Sequence, residues 1–245
     1  MTHSSTLIVN SIFLATEGEG IFIGTPQLFL RLQGCSYHCK NCDTPESWNF
    51  TQNTEIMGEI SLETIVNKLS ELGRWNTFAS IKRVSITGGD PLAKTHRESL
   101  VQLCKILKNN NIYLNIEVSG HEIVSEVFKY FDFINMDFKT PSTGYTGNIQ
   151  NIISMNEQFP HKFQIKSPCT DFSDLKFLEE SYLKLKDKIT QINFPWIITP
   201  AFGVNEDFPK KRFIDILNWN EKNAGFFRVI AQQHKIIYGS GRKDV

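Results

Sequence analysis

Gln27-Leu28-Phe29-Leu30-Arg31-Leu32-Gln33-Gly34-Cys35-Ser36-Tyr37-His38-Cys39-Lys40-Asn41-Cys42-Asp43-Thr44 is an apolar strand that runs directly into a loop with three cysteines. Their spacing is C-x3-C-x2-C, and no fourth cysteine lies nearby. Iron–sulfur clusters ordinarily take four cysteine ligands. Three thiolates, from Cys35, Cys39 and Cys42, suit a 4Fe–4S cluster with one iron left open for another ligand. The bland alternative is a small zinc site with His38 or Cys169 as the fourth ligand. His38 adjoins Cys39, which makes joint chelation awkward, and zinc knuckles usually begin with a C-x2-C pair. The cysteine count of five is odd and three are crowded together. That fits a metal site in a reducing cytoplasm better than a disulfide framework.

Outward from this loop the chain alternates between strand-like and helix-like runs. Strands are expected at Leu7–Ile12, Gln27–Leu32, Val84–Thr87, Ile112–Val118, Phe133–Asp137, Lys162–Ile165, Phe194–Ile198 and Phe227–Ala231. Apolar residues three and four apart mark helices between them. One has Leu62, Ile65, Val66, Leu69 and Leu72, with Ser61 as cap and Gly73 as stop. A second has Leu100, Leu103, Cys104 and Leu107, and a third Leu175, Leu178, Tyr182, Leu185 and Ile189. This alternation predicts an α/β fold: a mostly parallel sheet with helices outside, as a full or partial barrel or doubly wound. No repeat or linker divides residues 1–245, which read as one domain. In either architecture function gathers at the carboxyl ends of the strands.

Composition excludes several classes. The chain has 245 residues, with 26 basic and 26 acidic side chains. The balance gives no field for nucleic-acid binding. Met1-Thr2-His3-Ser4-Ser5 lacks the basic region of a secretion signal, and no apolar run reaches membrane-spanning length. A cytoplasmic protein without membrane contact is expected.

The chemistry-bearing segments fall at strand ends. Thr87-Gly88-Gly89-Asp90-Pro91 follows one strand and Glu117-Val118-Ser119-Gly120 ends the next. Asp137-Phe138-Lys139 and Thr199-Pro200 end later ones. Two glycines let a backbone approach a ligand closely, and Asp90 can accept from an ammonium group. An ordinary turn would explain Gly88-Gly89 alone, but the preceding cysteine triplet weighs against that. Other residues read as structural: Cys104 as core, Cys169 in a loop, His96, His121 and His161 on the surface, and Lys184–Lys188 as a solvated helix face.

The C-x3-C-x2-C loop with a G-G-[ED]-P turn resembles the radical S-adenosylmethionine superfamily. The resemblance implies an incomplete (β/α) barrel. It also implies S-adenosylmethionine chelating the open iron and yielding a 5′-deoxyadenosyl radical when the reduced cluster cleaves it. The cofactor would carry the hard chemistry and the protein would orient it. Contacts to it would come from Asn41, Asp43, Gly89, Asp90, Ser119, Asp137, Phe138, Lys139, Thr199 and Pro200.

The flanks narrow the resemblance. Glu17-Gly18-Glu19-Gly20, Arg31-Leu32-Gln33-Gly34-Cys35, Cys42-Asp43-Thr44 and Gln233-His234-Lys235 are similar to segments of the 7-carboxy-7-deazaguanine synthases of queuosine-type biosynthesis. That family implies conversion of 6-carboxy-tetrahydropterin to 7-carboxy-7-deazaguanine with loss of ammonia, assisted by Mg2+ on Thr44. It implies substrate contacts at Thr16, Glu17, Gly18, Glu19, Arg31, Thr87, His234 and Val245. It also implies a homodimer and an electron donor of the flavodoxin or ferredoxin type. Some positions depart from the family pattern. Glu17 stands where the family has Gln, and a carboxylate accepts but does not donate. Asn41 stands where an aromatic residue usually faces adenine. Asp137-Phe138-Lys139 is similar to a D-x-K segment of glycyl-radical activating enzymes, so an activase acting on a partner protein remains a second expectation.

Overall fold

The polar residues of the strands explain the architecture. In the computed structural model, which describes residues 5–50, 56–203 and 206–245, the strands are β1 (Thr6–Thr16), β2 (Pro26–Leu32), β3 (Gly58–Ser61), β4 (Arg83–Gly88), β5 (Tyr113–Val118), β6 (Phe133–Asp137), β7 (Phe163–Cys169), β8 (Trp196–Pro200) and β9 (Arg228–Val229). They form one nine-stranded open sheet in the order β3-β1-β2-β4-β5-β6-β7-β8-β9. From β2 to β9 all pairings are parallel. The helices are α1 (Leu62–Gly73), α2 (Arg97–Asn109), α3 (Ser125–Phe128), α4 (Ile149–Gln158), α5 (Phe172–Lys186), α6 (Lys210–Lys222) and α7 (Gln233–Tyr238). The sheet is not closed, as the incomplete barrel requires. Residues 1–4, whose composition argued against a signal, lie outside the described residues. Among those described, no helix is long and apolar enough to cross a membrane.

Parallel strands buried on both faces usually read as continuous apolar runs. Here one face is apolar and one polar. Leu28, Leu30, Val84, Ile86, Leu114, Ile116, Ile134, Met136 and Ile165 belong to one buried cluster that also takes Ile65, Leu69, Leu100, Leu103 and Leu178 from the helices. The alternate residues Gln27, Ser85, Asn115, Asn135 and Gln164 are buried too. They satisfy one another across the strands. Asn115 donates to Ser85 at 2.8 Å, Asn135 to the Asn115 carbonyl at 3.2 Å, and Gln164 to Asn135. Buried polar groups without partners would be costly, and this ladder supplies most of the partners.

The antiparallel edge was not foreseen from sequence. β1 pairs antiparallel with both β2 and β3, and β1 runs four residues beyond the expected Leu7–Ile12. Thr16 lies opposite Pro26, so the chain turns at the amino-terminal end of the parallel strands. Residues 17–25 then fill the underside of the half-barrel. Glu17 N donates to Thr25 O, and Gly24 N to Glu17 O, both at 2.8 Å. Phe22 packs edge-on against Phe133 at 4.8 Å and Tyr113 at 6.4 Å, while the Arg83 guanidinium lies 4.1 Å from its ring.

Some local readings need correction. Ser61 does cap α1, accepting from Thr64 N at 3.2 Å. Gly73, however, stays in the last turn, and Arg74 takes the left-handed position with φ 50°. A Cβ on Gly73 would run into the Trp75 indole and Ile81 O, so close packing explains that glycine. Cys169 ends β7 and is fully buried rather than in a loop. His96 is buried at 1% exposure, its Nε2 within 2.9 Å of Gln33 O. His121 stacks on Tyr37 at 4.2 Å. Neither is a free surface histidine.

Candidate active site

One cleft opens at the carboxyl ends of the parallel strands, and the three loop cysteines line it. Two backbone bonds fasten the loop: Gly34 N to Ser47 O at 2.8 Å and Cys35 N to Trp48 O at 2.9 Å. Gly88 and Gly89 lie directly beneath. Gly89 N donates to Leu32 O and Asp90 N to Gly34 O, and a Cβ at Gly88 or Gly89 would strike the Leu32 or Gly34 backbone. The double glycine thus admits the cysteine loop as well as leaving room for a ligand.

Among the described residues no three His, Cys, Asp or Glu side chains are gathered tightly enough for one metal ion. Tetrahedral zinc, with Zn–S near 2.3 Å, would need sulfurs about 3.8 Å apart. Thiols that share a cleft without closing on a point fit a cluster several ångströms across. His38 stacks on Trp48 at 4.7 Å and is exposed, and Cys169 is buried elsewhere, so neither completes a zinc site. Burial lifts the Cys35 thiol to about 11 and also raises Cys39. Metal binding is what deprotonates such ligands.

The structure brings most of the expected site residues to this cleft. Thr16, Glu17, Gly18, Glu19, Arg31, Asn41, Asp43, Thr44, Thr87, Gly89, Ser119, Asp137, Lys139, Thr199, His234 and Val245 all line it. Phe138 does not. Its ring is buried, stacked on Phe177 at 5.7 Å and edge-on to Trp196 at 5.1 Å, so only its backbone can face a ligand. Pro200 is likewise buried within β8. Asp90 turns its carboxylate onto its own turn, accepting from Leu92 N at 3.1 Å; it is set behind the lining. The tail folds back over the cleft, held by Lys243 Nζ to Glu46 Oε1 at 2.8 Å.

Beneath the cysteines sits an ionic floor that the sequence reading missed in part. Lys166 on β7 donates to Glu19 Oε2 at 2.9 Å and lies 3.8 Å from Glu117 Oε2. Gln232 donates to Glu19 Oε1 at 2.7 Å. Burial pushes the Glu19 carboxyl up, but Lys166, His234 and Gln232 outweigh it and hold the pKa well below the ordinary range. Lys166 is raised well above its usual value by its ring of acids. Beside it Lys139 pairs with Asp137 at 2.6 Å, and Lys235 lies 3.5 Å from Asp43. Arg31 stands out by contrast. Its guanidinium is 5.8 Å from the Phe13 ring and, among the described residues, has no carboxylate at ion-pair distance. An unpaired guanidinium in a cleft is a fork ready for a carboxylate.

Lys166 could have been found from its position. It sits in the strand run Phe163-Gln164-Ile165-Lys166, on the same polar face that carries Ser85 and Thr87, Asn115 and Glu117, and Asn135 and Asp137. Asp137 pairs with Lys166 in the register.

Comparison with known proteins agrees with this geometry. Residues 16–132 match the family described as a 4Fe-4S single cluster domain. The 7-carboxy-7-deazaguanine synthase of Buchnera aphidicola is 29% identical over 195 residues, covering 74% of this chain and 79% of the relative. That of Archaeoglobus fulgidus is 25% identical over 235 residues, covering 92% and 96%. The crystal structure of QueE from Escherichia coli superposes with a TM-score of 0.67 at 24% identity, over 94% of this chain and 95% of that one. A radical SAM methyltransferase from Sphaerobacter thermophilus shares the fold at 10% identity, with a TM-score of 0.55 over 84% of this chain and 66% of its own. The chain is thus similar over residues 16–132 to a 4Fe-4S single cluster domain, and over most of its length to 7-carboxy-7-deazaguanine synthases.

Proposed function

We propose that the protein is a 7-carboxy-7-deazaguanine synthase, converting 6-carboxy-5,6,7,8-tetrahydropterin to 7-carboxy-7-deazaguanine with release of ammonia. The observation that carries this is the single cleft in which the three cysteines, the unpaired Arg31 and the Glu17–Glu19–Lys166 floor face one another. The names of the relatives favour it over activation of a glycyl-radical partner.

Cys35, Cys39 and Cys42 would hold the cluster, with S-adenosylmethionine bound beside it. Together these would supply hydrogen-atom abstraction from carbon. The chain's own work is to bind and orient. Gly89, Ser119 and Thr199 offer backbone and hydroxyl contacts for the cofactor; Thr199 Oγ1 is buried without a partner among the described residues, which suits a ligand acceptor. Arg31 clamps the pterin carboxylate bidentately. The Thr44 hydroxyl, 3.8 Å from Cys42 Sγ, provides a hard oxygen for Mg2+ near that carboxylate. Glu17 and Glu19 meet the polar edge of the pterin ring, and His234, packed over Gly18, closes that side. A homodimer and an electron donor of flavodoxin or ferredoxin type complete the proposal.

The test is anaerobic incubation of cluster-reconstituted protein with the carboxy-tetrahydropterin, S-adenosylmethionine, Mg2+ and a reductant. The deazaguanine product is expected. Its absence with the cluster intact refutes the proposal.

A further inference from the structure

The cleft floor holds more acid than its cation can neutralise. Lys166 serves Glu19 at 2.9 Å and stands 3.8 Å from Glu117. Glu19 has Gln232 as a further donor at 2.7 Å, and Glu117 has the Ser85 hydroxyl at 3.3 Å. Glu17, at 5% exposure, has no cation at ion-pair distance among the described residues. Its Oε2 accepts from Gln27 Nε2 at 2.7 Å and its Oε1 from Glu19 N at 3.2 Å. Gln27 cannot turn its amide round, because Arg83 Nε donates to its carbonyl at 2.9 Å.

The groups facing Glu17 are therefore Glu19 on its own loop, Gln27 on β2, Glu117 on β5, Lys166 on β7 and His234 over Gly18 from α7. A further buried anion beside two others costs more than leaving one carboxyl its proton. Glu117, nearer the ammonium, is the better anion of the two, although burial raises it as well. Burial first, and Glu117 next, lift Glu17 from 4.5 to about 7.

The lone pairs complete the picture. Each carboxyl oxygen has two acceptor positions, and on Glu17 each has one filled by a protein donor. In the neutral acid one remaining position becomes an O–H and the other still accepts.

We propose that Glu17 binds the pterin as a neutral carboxylic acid, presenting one donor and one acceptor side by side to the ring's adjacent C=O and N–H. Glu17 is then a specificity-determining residue for lactam-bearing ligands, and pterin affinity is tied to its proton. This rests on the pterin reading of the cleft.

The experiment measures the dissociation constant of 6-carboxy-tetrahydropterin on the cluster-loaded protein with S-adenosylmethionine, without reductant, from pH 6 to 9. Wild-type affinity is expected to fall about 25-fold between pH 6.5 and 8.5, the loss of neutral acid for a group titrating near 7. Glu17→Gln keeps a donor and an acceptor but cannot ionise. It should bind within about threefold of wild type at pH 6.5 and lose the decline. Wild-type binding that is flat or tightens with pH overturns the inference. So does a Glu17→Gln protein that keeps its iron and S-adenosylmethionine affinity yet binds pterin tenfold more weakly at pH 6.5. If that variant loses its cluster, the wild-type profile decides alone. Cofactor binding with no pterin binding at any pH overturns the substrate reading itself, and this inference with it.

Discussion

Replacing Lys166 with methionine removes the ammonium that serves Glu19 and Glu117 on the cleft floor, at nearly constant volume. The lysine side chain is 11% exposed and its partner Glu19 19%, so solvent screening takes little from the pair. Removing one partner of a buried ion pair typically costs about 3–5 kcal/mol, because the other charge is left uncompensated. For a domain of this size that corresponds to a fall of about 6–20 °C in Tm. The sign of the pH dependence follows from Glu19. In the wild type its folded pKa lies below the ordinary 4.5. Its contribution is therefore complete above that value and lost only as pH drops through the depressed pKa. Without Lys166, burial is the dominant cause acting on Glu19, and its folded pKa moves above 4.5. The variant then loses stability as pH climbs from about 4.5 through the raised value. Thermal unfolding of the cluster-loaded protein, followed by far-UV circular dichroism without oxygen, should show the full loss at pH 8 and less than half of it at pH 5.5. An equal loss at both pH values, or a fall below about 3 °C at pH 8, would refute the charge account.

Three further outcomes follow from the same structure. Gly20→Ala places a side chain at φ 68° and drives its Cβ into the Gln164 amide, which also accepts from Ile21 N at 2.9 Å. A loss of about 2–3 kcal/mol is expected by urea unfolding, and a loss under about 0.5 kcal/mol would show that the turn between β1 and β2 adapts. Cys35→Ser, Cys39→Ser or Cys42→Ser should each abolish the brown cluster, whereas Cys104→Ala and Cys169→Ala keep full iron content. Cys104 is fully buried with its thiol pushed to about 12, so an iron loss there would contradict the assignment. Arg31→Lys keeps the charge but loses the fork, and KM for the carboxy-tetrahydropterin should rise about 10–100-fold with kcat little changed; an unchanged KM would remove Arg31 from the carboxylate site.

The cysteine loop and Gly88-Gly89 were legible because their chemistry is local. Spacing within a few residues sets which atoms meet, and the loop bonds to its own flanks. Helices α1, α2 and α5 were legible through stripes at three and four. The antiparallel edge was not, since most of β1 is only half-buried and nothing in its composition states which neighbour it takes. Lys166 was missed for a different reason. A lysine in a strand reads as solvent-facing, and only the register that sets it beside Asp137 and within reach of Glu19 makes it interior. His96 was misread because its partner, Gln33 O, is a backbone group 63 residues away.

The β1–β2 turn shows why these missed features belong together. An open sheet with a polar inner row, Gln27, Ser85, Asn115, Asn135 and Gln164, cannot leave that row facing an empty interior. The turn at the amino-terminal rim supplies both the plug and the partners. Its lower side puts Phe22 against Phe133, Tyr113 and Arg83, and Ile21 N satisfies Gln164 Oε1. Its upper side carries Glu17 and Glu19 into the cleft, where residues as distant as Gln232 meet them. Gly20 is the joint between the two, in a conformation and a space that only glycine fits. The same few residues therefore close the core from below and set the charge of the cleft above. A change in how the plug seats must be felt at Glu17, so substitutions at Phe22, far from the cysteines, should shift the pH dependence of pterin binding more than they shift cluster content. If Phe22→Leu left that pH profile untouched while lowering stability, floor and plug would be independent, and the proton on Glu17 would be set by its immediate acids alone.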